Sequence, residues 1–349
     1  MAKFIFNNEV DCWREGFDFA FGNYTNIDEA IVGAKKRGYT AESLIVAERA
    51  RKYFDVTLPS IQEVTAEYPL FNKYSKLVGY EKDNNNRVLY NFISSTTEEE
   101  VSSCSDTVLT RYLANFVASN EPFIDRADLI NKLNFGKYPS SIKRKCIDIY
   151  DEREELLEEI KSLGKRLKVI VSLHLDLLQN EIENTVALFS TGDILQKGLH
   201  NFLDTNILTD DSVFEVYPLV SGFNGVEVAI MQKKAGRICI GVWTEELFTE
   251  KTIDKTDTLR IARMLKAISD VSRIQIIKLL AKSPTYLQKL SEVLSLTPAT
   301  VSHHLQMLLN ESLIKLDIST DEKRVYYKLN TETFNKISDI IRELANEID

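Results

Sequence analysis

The side chains best suited to bind another molecule lie near the C-terminus, in the run TPATVSHHLQMLLNESLI. Apolar residues recur there at helical spacing, which predicts one buried face made of Val301, Leu305, Leu308 and Leu309. The opposite face is short or hydrogen-bonding and contains no carboxylate: Ala299, Thr300, Ser302, His303 and Gln306. Such side chains can hydrogen-bond base edges and phosphates, so this face is suited to the major groove of DNA.

This helix is predicted to be the second of a helix-turn-helix pair. The run YLQKLSEVLS forms the first helix, and a tight turn over Ser295-Leu296-Thr297 joins the two. Thr297 is placed as the N-cap and Pro298 as the first helical residue, where its missing N–H costs nothing. The runs TLRIARMLKAISD and VSRIQIIKLLAK predict two more helices before the pair.

A two-stranded hairpin is predicted directly after the pair. KLDIST and RVYYKLN are rich in strand-forming residues and flank a polar DEK turn. Lys323 and Arg324 lie at its tip and Lys315 and Lys328 on its strands, where their charge can approach the phosphate backbone. These pieces, in this order, predict a winged helix-turn-helix domain with a recognition helix at about 298–309 and a wing at about 315–329.

The stretches LKAISDVSRIQIIKLL, LTPATVSHHLQMLLNESLIK and KRVYYKLN resemble the ArsR/SmtB family of winged-helix repressors. The resemblance covers about 258–335, so it implies a long form of the family with a large N-terminal extension. By the family pattern, the side chains that face DNA are Thr300, Ser302, His303, Gln306 and Arg324. We add Thr297, His304 and Lys323 to the DNA-binding candidates, although His304 suits a packing or phosphate contact as well as a base contact.

The chain departs from the family pattern at two places. Val271 stands where the family has a proline after Ser269-Asp270. Metal-sensing members carry Cys-x-Cys near the first helix of the pair, where this chain reads SPTYLQKLSEV. The last helix also lacks the histidine of a second metal site. Because transition metals favour thiolate and imidazole donors, we predict no metal site and no cofactor.

The final helix predicts a homodimer. Its apolar residues follow spacings of three and four, a seam that suits a partner helix. In the resembled family the first and last helices of the domain form a two-fold dimer, which would set two recognition helices about 34–36 Å apart on a palindromic operator. The dimerisation candidates are Leu259, Phe334, Ile337, Ile341 and Leu344.

Charge and cysteine content are compatible with this interpretation. The net charge of −9 is unevenly distributed: Thr258 to Asp349 holds 13 Lys+Arg against 11 Asp+Glu, and residues 1–257 hold 30 against 41. A mildly basic C-terminal region permits DNA binding with a modest electrostatic contribution. The four cysteines (12, 104, 146 and 239) form no CxxC pair, and neither a secretion signal nor a long apolar run is present. We therefore expect free thiols and a cytoplasmic protein that makes no membrane contact.

The N-terminal two-thirds predicts a different architecture. Residues 1–208 read as a mostly helical domain, in which Gly164 would interrupt one long helix and Pro59 and Pro69 punctuate another stretch. Residues 209–250 contain three strand-like runs separated by glycine turns and predict a small antiparallel β-meander, in the same domain or in a second subdomain. Thr249–Thr258 is the predicted linker to the domain at 258–349. The predicted fold class is mainly α with α+β.

The sequence carries no catalytic motif, since GxGxxG, P-loop, HExxH and GxSxG patterns are all absent. We therefore expect a transcription regulator, in particular a repressor, and no enzyme. The N-terminal domain is expected to sense a non-metal small-molecule effector or a partner. The alternative is a winged-helix protein-interaction module without DNA binding, although such a surface would show a large apolar anchor on the recognition helix.

Overall fold

The computed structural model describes residues 2–37, 41–75, 88–117, 123–136, 138–190, 193–202, 211–232, 235–244, 258–319 and 324–346. The predicted boundaries at 208, 209 and 250, and residues 249–257 of the predicted linker, lie outside the described residues. Among the helices of these ranges, none combines the length and the apolar character needed to cross a membrane.

Helices dominate the first two hundred residues, as predicted. They are α1 (Cys12–Phe21), α2 (Ile27–Arg37), α3 (Ala41–Ala66), α4 (Pro69–Tyr74), α5 (Val88–Ser94), α6 (Glu98–Ser103), α7 (Asp106–Phe116), α8 (Arg126–Phe135), α9 (Ser140–Asp151), α10 (Arg153–Leu173), a 3₁₀ turn (Leu175–Leu178), α11 (Gln179–Phe189) and α12 (Asp193–Phe202). The central helix is α10, whose apolar stripe is buried against α1, α3, α4 and α7. Burial of this stripe drives the packing of the helices around it.

The helix α10 runs unbroken through Gly164, so the predicted interruption there is wrong. A Cβ atom on Gly164 would lie 2.1 Å from Cζ3 of Trp13, which shows that the glycine permits close approach of α1. Pro59 likewise lies inside α3, whereas Pro69 begins α4. Phe54 and Ile61, on either side of Pro59, are both buried in the same core, and this packing outweighs the lost backbone hydrogen bond.

A four-stranded sheet joins the two ends of the N-terminal region. Its strands are β1 (Lys3–Phe6), β2 (Val213–Leu219), β3 (Val226–Gln232) and β4 (Ala235–Gly241), and their order is β1-β2-β4-β3. The β3–β4 pair is antiparallel, as expected for a hairpin. However, β2 pairs with β4 and with β1, in parallel both times, so the predicted meander is wrong in this respect.

The crossing segment 220–225 explains the different strand order. It passes under the end of β4, where the amide of Trp243 donates to the carbonyl of Phe223 at 2.6 Å. A Cβ on Gly241 would lie 2.4 Å from that carbonyl oxygen, so only glycine permits the crossing. The carboxylate of Glu15 accepts the amides of Val220 at 2.5 Å and Ser221 at 2.7 Å. These contacts satisfy buried backbone groups that a simple meander would have paired between strands.

The two faces of the sheet have different neighbours. Ile238 and Ile240 of β4 point into an apolar cluster with α11 and α12, which we call the sheet cluster: Ala2, Phe189, Leu195, Leu199, Phe214, Val216, Ile238 and Ile240. The alternate residue Cys239 faces α1, because successive side chains of a strand point to opposite faces. Arg14 of α1 donates to the Cys239 sulfur at 3.2 Å and to Glu227 at 2.5 Å.

The C-terminal domain is a winged helix-turn-helix, as predicted. Its elements are α13 (Thr258–Ile268), α14 (Val271–Leu280), α15 (Leu287–Leu294), α16 (Pro298–Asn310), β5 (Ile314–Ser319), β6 (Arg324–Leu329) and α17 (Thr331–Asn346). They enclose a core of their own, formed by Met264, Ala267, Ile276, Leu280, Leu290, Val301, Leu305, Leu308, Leu313, Ile314 and Ile337.

Candidate nucleic-acid interface

The turn between α15 and α16 fixes the direction of the recognition helix α16. Ser295 adopts a left-handed conformation with φ of 54°, which ends α15. The hydroxyl of Ser291 donates to the carbonyl of Leu296 at 2.6 Å and holds the turn. The hydroxyl of Thr297 then accepts the amide of Thr300 at 3.2 Å, and Pro298 is the first helical residue. The predicted cap is therefore confirmed.

The two faces of α16 are divided as the sequence predicts. Val301, Leu305 and Leu308 are fully buried in the domain core, and Leu309 is half-buried and packs against it. The exposed side chains are Thr297, Ala299, Thr300, Ser302, His303, Gln306 and Asn310. The amide of Gln306 donates to Asn310 at 2.8 Å. The helix α16 contains no Asp, Glu, Lys or Arg residue, so this face offers mainly hydrogen bonds to a ligand.

His304 lies between the two faces. Its side chain is only 13% exposed, and Nδ1 is 3.8 Å from Oδ1 of Asp270, which is too long for a hydrogen bond. Asp270 is itself the N-cap of α14 and accepts the amide of Arg273 at 3.0 Å. That bond, together with the nearby guanidinium, lowers the pKa of Asp270. His304 thus presents less of its surface on the recognition face than His303 does.

Arg273 is the positioning residue that the motif analysis missed. It is buried, and its guanidinium donates to the carbonyls of Ala267 at 2.5 Å and Lys266 at 3.2 Å. These carbonyls belong to the last turn of α13, which favours a cation. Another nitrogen lies 3.3 Å from the sulfur of Met307 on α16. The Arg273 side chain therefore connects α13, α14 and α16. In the sequence, the feature that could have indicated this role is a single arginine within the largely apolar run VSRIQIIKLL.

The wing is anchored to the helix-turn-helix at its base. Tyr327 of β6 exchanges backbone hydrogen bonds of 2.7 and 3.1 Å with Thr285, just before α15. The side chain of Asn330 donates to the carbonyl of Ser312 at 2.8 Å and closes the base of the hairpin, opposite its tip. The rings of Tyr286 and Tyr326 meet edge to face at 5.7 Å. These contacts fix the wing beside α16.

The tip of the wing is less fully described. Lys323 lies outside the described residues, and Arg324 is described only as the first backbone position of β6. The charged tip therefore stays a prediction. Lys328 is exposed and Lys315 is half-buried on the two paired strands.

The predicted dimer seam is divided between two environments. Ile337 is buried in the domain's own core and Phe334 packs against it. Ile341 is 46% exposed, and Leu265 of α13 is 39% exposed. Leu259 and Leu344 are described only as backbone positions of α13 and α17. The exposed part of the seam is therefore narrower than the sequence pattern alone indicates.

No group of three or more His, Cys, Asp or Glu residues in the described ranges is arranged to hold a metal ion. All four cysteines are free thiols.

Comparison with known proteins points to the same part of the chain. Residues 270–315 match the family model described as a bacterial regulatory protein of the arsR family. No curated protein shows significant similarity to the chain. The match spans α14 to the start of β5, and therefore includes the capped recognition helix. Residues 270–315 are therefore similar to the helix-turn-helix of the arsR family of bacterial regulatory proteins, and the large region that precedes them lies outside the match.

Proposed function

We propose that this protein is a sequence-specific transcription repressor that binds a palindromic operator as a homodimer. The observation that carries the proposal is the exposed face of the capped helix α16. This face is polar and presents neither a carboxylate nor a large apolar side chain. In this arrangement Thr300, Ser302, His303 and Gln306 reach base edges, and Thr297 contacts a phosphate. His304 is only 13% exposed and supplies a packing or phosphate contact rather than a base contact.

The wing and the dimer complete the proposed DNA-binding surface. Lys323 and Arg324 at the wing tip approach the phosphate backbone. The dimer forms through the exposed apolar side chains of Leu265 and Ile341, extended by Leu259 and Leu344. The N-terminal domain acts as a sensor of a small molecule other than a metal, or of a partner.

Selection of duplexes from a random pool tests this proposal. The purified full chain should enrich an inverted repeat whose half-sites are about 10 base pairs apart, because the two-fold axis of a dimer imposes that spacing. Light scattering on the same sample should give twice the mass of the chain. A pool that remains random after selection would contradict sequence-specific binding and favour a protein-docking module. Enrichment of a single unrepeated half-site would contradict the dimer.

A further inference from the structure

The wing strand β5 belongs to two hydrophobic cores. Ile314, at its start, is fully buried in the core of the C-terminal domain. Two residues along, Leu316 packs against the sheet cluster of the N-terminal domain. The strand itself lies against α12. Residues i and i+2 of a strand share a face. The same face of β5 therefore packs first against the core of the C-terminal domain, through Ile314, and then against the N-terminal domain, through Leu316.

The contact connects the wing to the folded centre of the N-terminal domain. Leu195 and Leu199 of α12 are buried in the sheet cluster together with Phe214 of β2 and Ile238 of β4. The Leu316 side chain is therefore seated on a packed apolar surface, and a half-buried leucine contributes stabilisation in proportion to the apolar area it removes from water. The wing is held by the domain that precedes it.

The domain that holds the wing is acidic as a whole, since residues 1–257 carry 30 Lys+Arg against 41 Asp+Glu. While β5 lies on α12, the wing is therefore kept close to a domain of net negative charge. A DNA duplex is itself strongly anionic, and wing contacts to its backbone depend on positive potential at the protein surface. Separation of the wing from α12 would let the mildly basic C-terminal domain meet DNA without its acidic neighbour.

We propose that the contact of Leu316 and β5 with α12 is autoinhibitory: it keeps the wing in a state of low DNA affinity until the N-terminal domain releases it. This inference rests on the proposed DNA-binding function. Two states follow, docked and released, and DNA binds the released state more tightly. Any ligand of the N-terminal domain that binds the released state better will then increase DNA affinity.

The test compares Leu316→Ala with Val271→Ala, an apolar truncation at an exposed position of α14, outside the wing. In the full chain, Leu316→Ala should bind a duplex about fivefold more tightly than Val271→Ala and the wild type. Hydrogen exchange should show lower protection of α12 amides in Leu316→Ala and, for the wild type, on addition of DNA. Ile194→Ala, which weakens the same cluster from α12, should also tighten binding without altering the wing.

Two results would overturn the inference while leaving DNA binding intact. One is equal or weaker duplex affinity in both Leu316→Ala and Ile194→Ala, with retained protection of α16 amides as evidence of folding. The other is unchanged protection of α12 when DNA binds the wild type. A failure of all proteins, the wild type included, to bind any duplex would instead contradict the proposed function, and the autoinhibitory inference would fail with it.

Discussion

Arg273 is the residue on which the geometry of the candidate interface most depends. Its guanidinium bonds two carbonyls at the end of α13 and contacts Met307 on the recognition helix. The sequence pattern contained this arginine within a recognisable opening motif, but its partners could not be read from the motif. They belong to helices before and after it, and only the folded arrangement brings them together.

Replacement of Arg273 by alanine should lower the free energy of unfolding of the C-terminal domain by about 2–4 kcal/mol, because buried carbonyls lose their charged donor. Arg273→Lys should recover only part of the loss, since an ammonium group lacks the planar fork of donors. Urea unfolding followed by circular dichroism measures the difference. Lys278→Ala, at an exposed position of the same helix, is the control and should leave stability unchanged. A wild-type midpoint for Arg273→Ala would contradict the positioning role.

Glu15 is the residue for which the structure predicts a pH effect. Burial raises the pKa of Glu15 to about 7 from its ordinary value of 4.5, although the amides of Val220 and Ser221 oppose the shift. Asp18, one turn along α1, is buried too, and its pKa is also raised. The unfolded chain releases such a proton at a lower pH than the folded protein does. The stability contributed by protonated Glu15 is therefore complete below about pH 4.5 and is lost as the pH rises through about 7.

Glu15→Gln should flatten this dependence. Between pH 4.5 and 7.5 the variant should lose less unfolding free energy than the wild type, by an amount that reflects about 1.4 kcal/mol per unit of pKa shift. Urea unfolding at a series of pH values measures the slope. Glu63→Gln, an exposed carboxylate of α3, should keep the wild-type slope. Parallel curves for Glu15→Gln and the wild type would show that Glu15 is ionised throughout.

At the scale of elements, the winged domain was predictable because its signals are local. The cap at Thr297, the apolar face of α16 and the two strand patterns all lie within 297–329, and the structure confirms each. The sheet of the N-terminal region was not predictable in the same way. Lys3 pairs with Val213, and no periodicity of either segment indicates a partner so distant in sequence. The pairing depends on tertiary packing around α1, which local propensity does not encode.

The contact of α10 with α1 provides a prediction about packing. Gly164→Ala should improve helix propensity by about 1 kcal/mol, but the added Cβ would overlap the indole of Trp13. We expect the overlap to dominate and the free energy of unfolding to fall by about 1–3 kcal/mol. Thermal unfolding measures the change, with Lys165→Ala at the adjacent exposed position as the control. A Gly164→Ala variant that is more stable than the wild type would contradict the close approach of the two helices.

At the scale of the whole molecule, the two domains differ in net charge and are in contact through β5. A mildly basic winged helix-turn-helix domain follows an acidic, mostly helical domain, and the strand β5 contacts both. The composition already indicated the charge division. The contact through Leu316 was not predictable from the sequence. Apolar residues occupy every second position of β5, so Leu316 is indistinguishable from a residue that packs within its own domain. Its neighbours come from α12, more than a hundred residues earlier, and from the sheet.

The central claim is that the exposed face of α16 reads DNA. The most direct measurement is titration of the full chain against a fluorescent duplex from the region upstream of its own gene, at two salt concentrations. A variant with Ser302→Ala and His303→Ala removes two of the proposed base contacts. A control with Gln62→Ala and Ser102→Ala changes exposed polar residues of the N-terminal helices. Circular dichroism confirms that each protein is folded.

We predict tight binding by the wild type and the control, weakened at the higher salt concentration because counterions are released on binding. The Ser302→Ala/His303→Ala variant should bind at least about 30-fold more weakly, since each base contact contributes about 1–3 kcal/mol of discrimination. Equally weak binding of all three proteins to this duplex and to a scrambled duplex would contradict the account and favour a protein-docking surface.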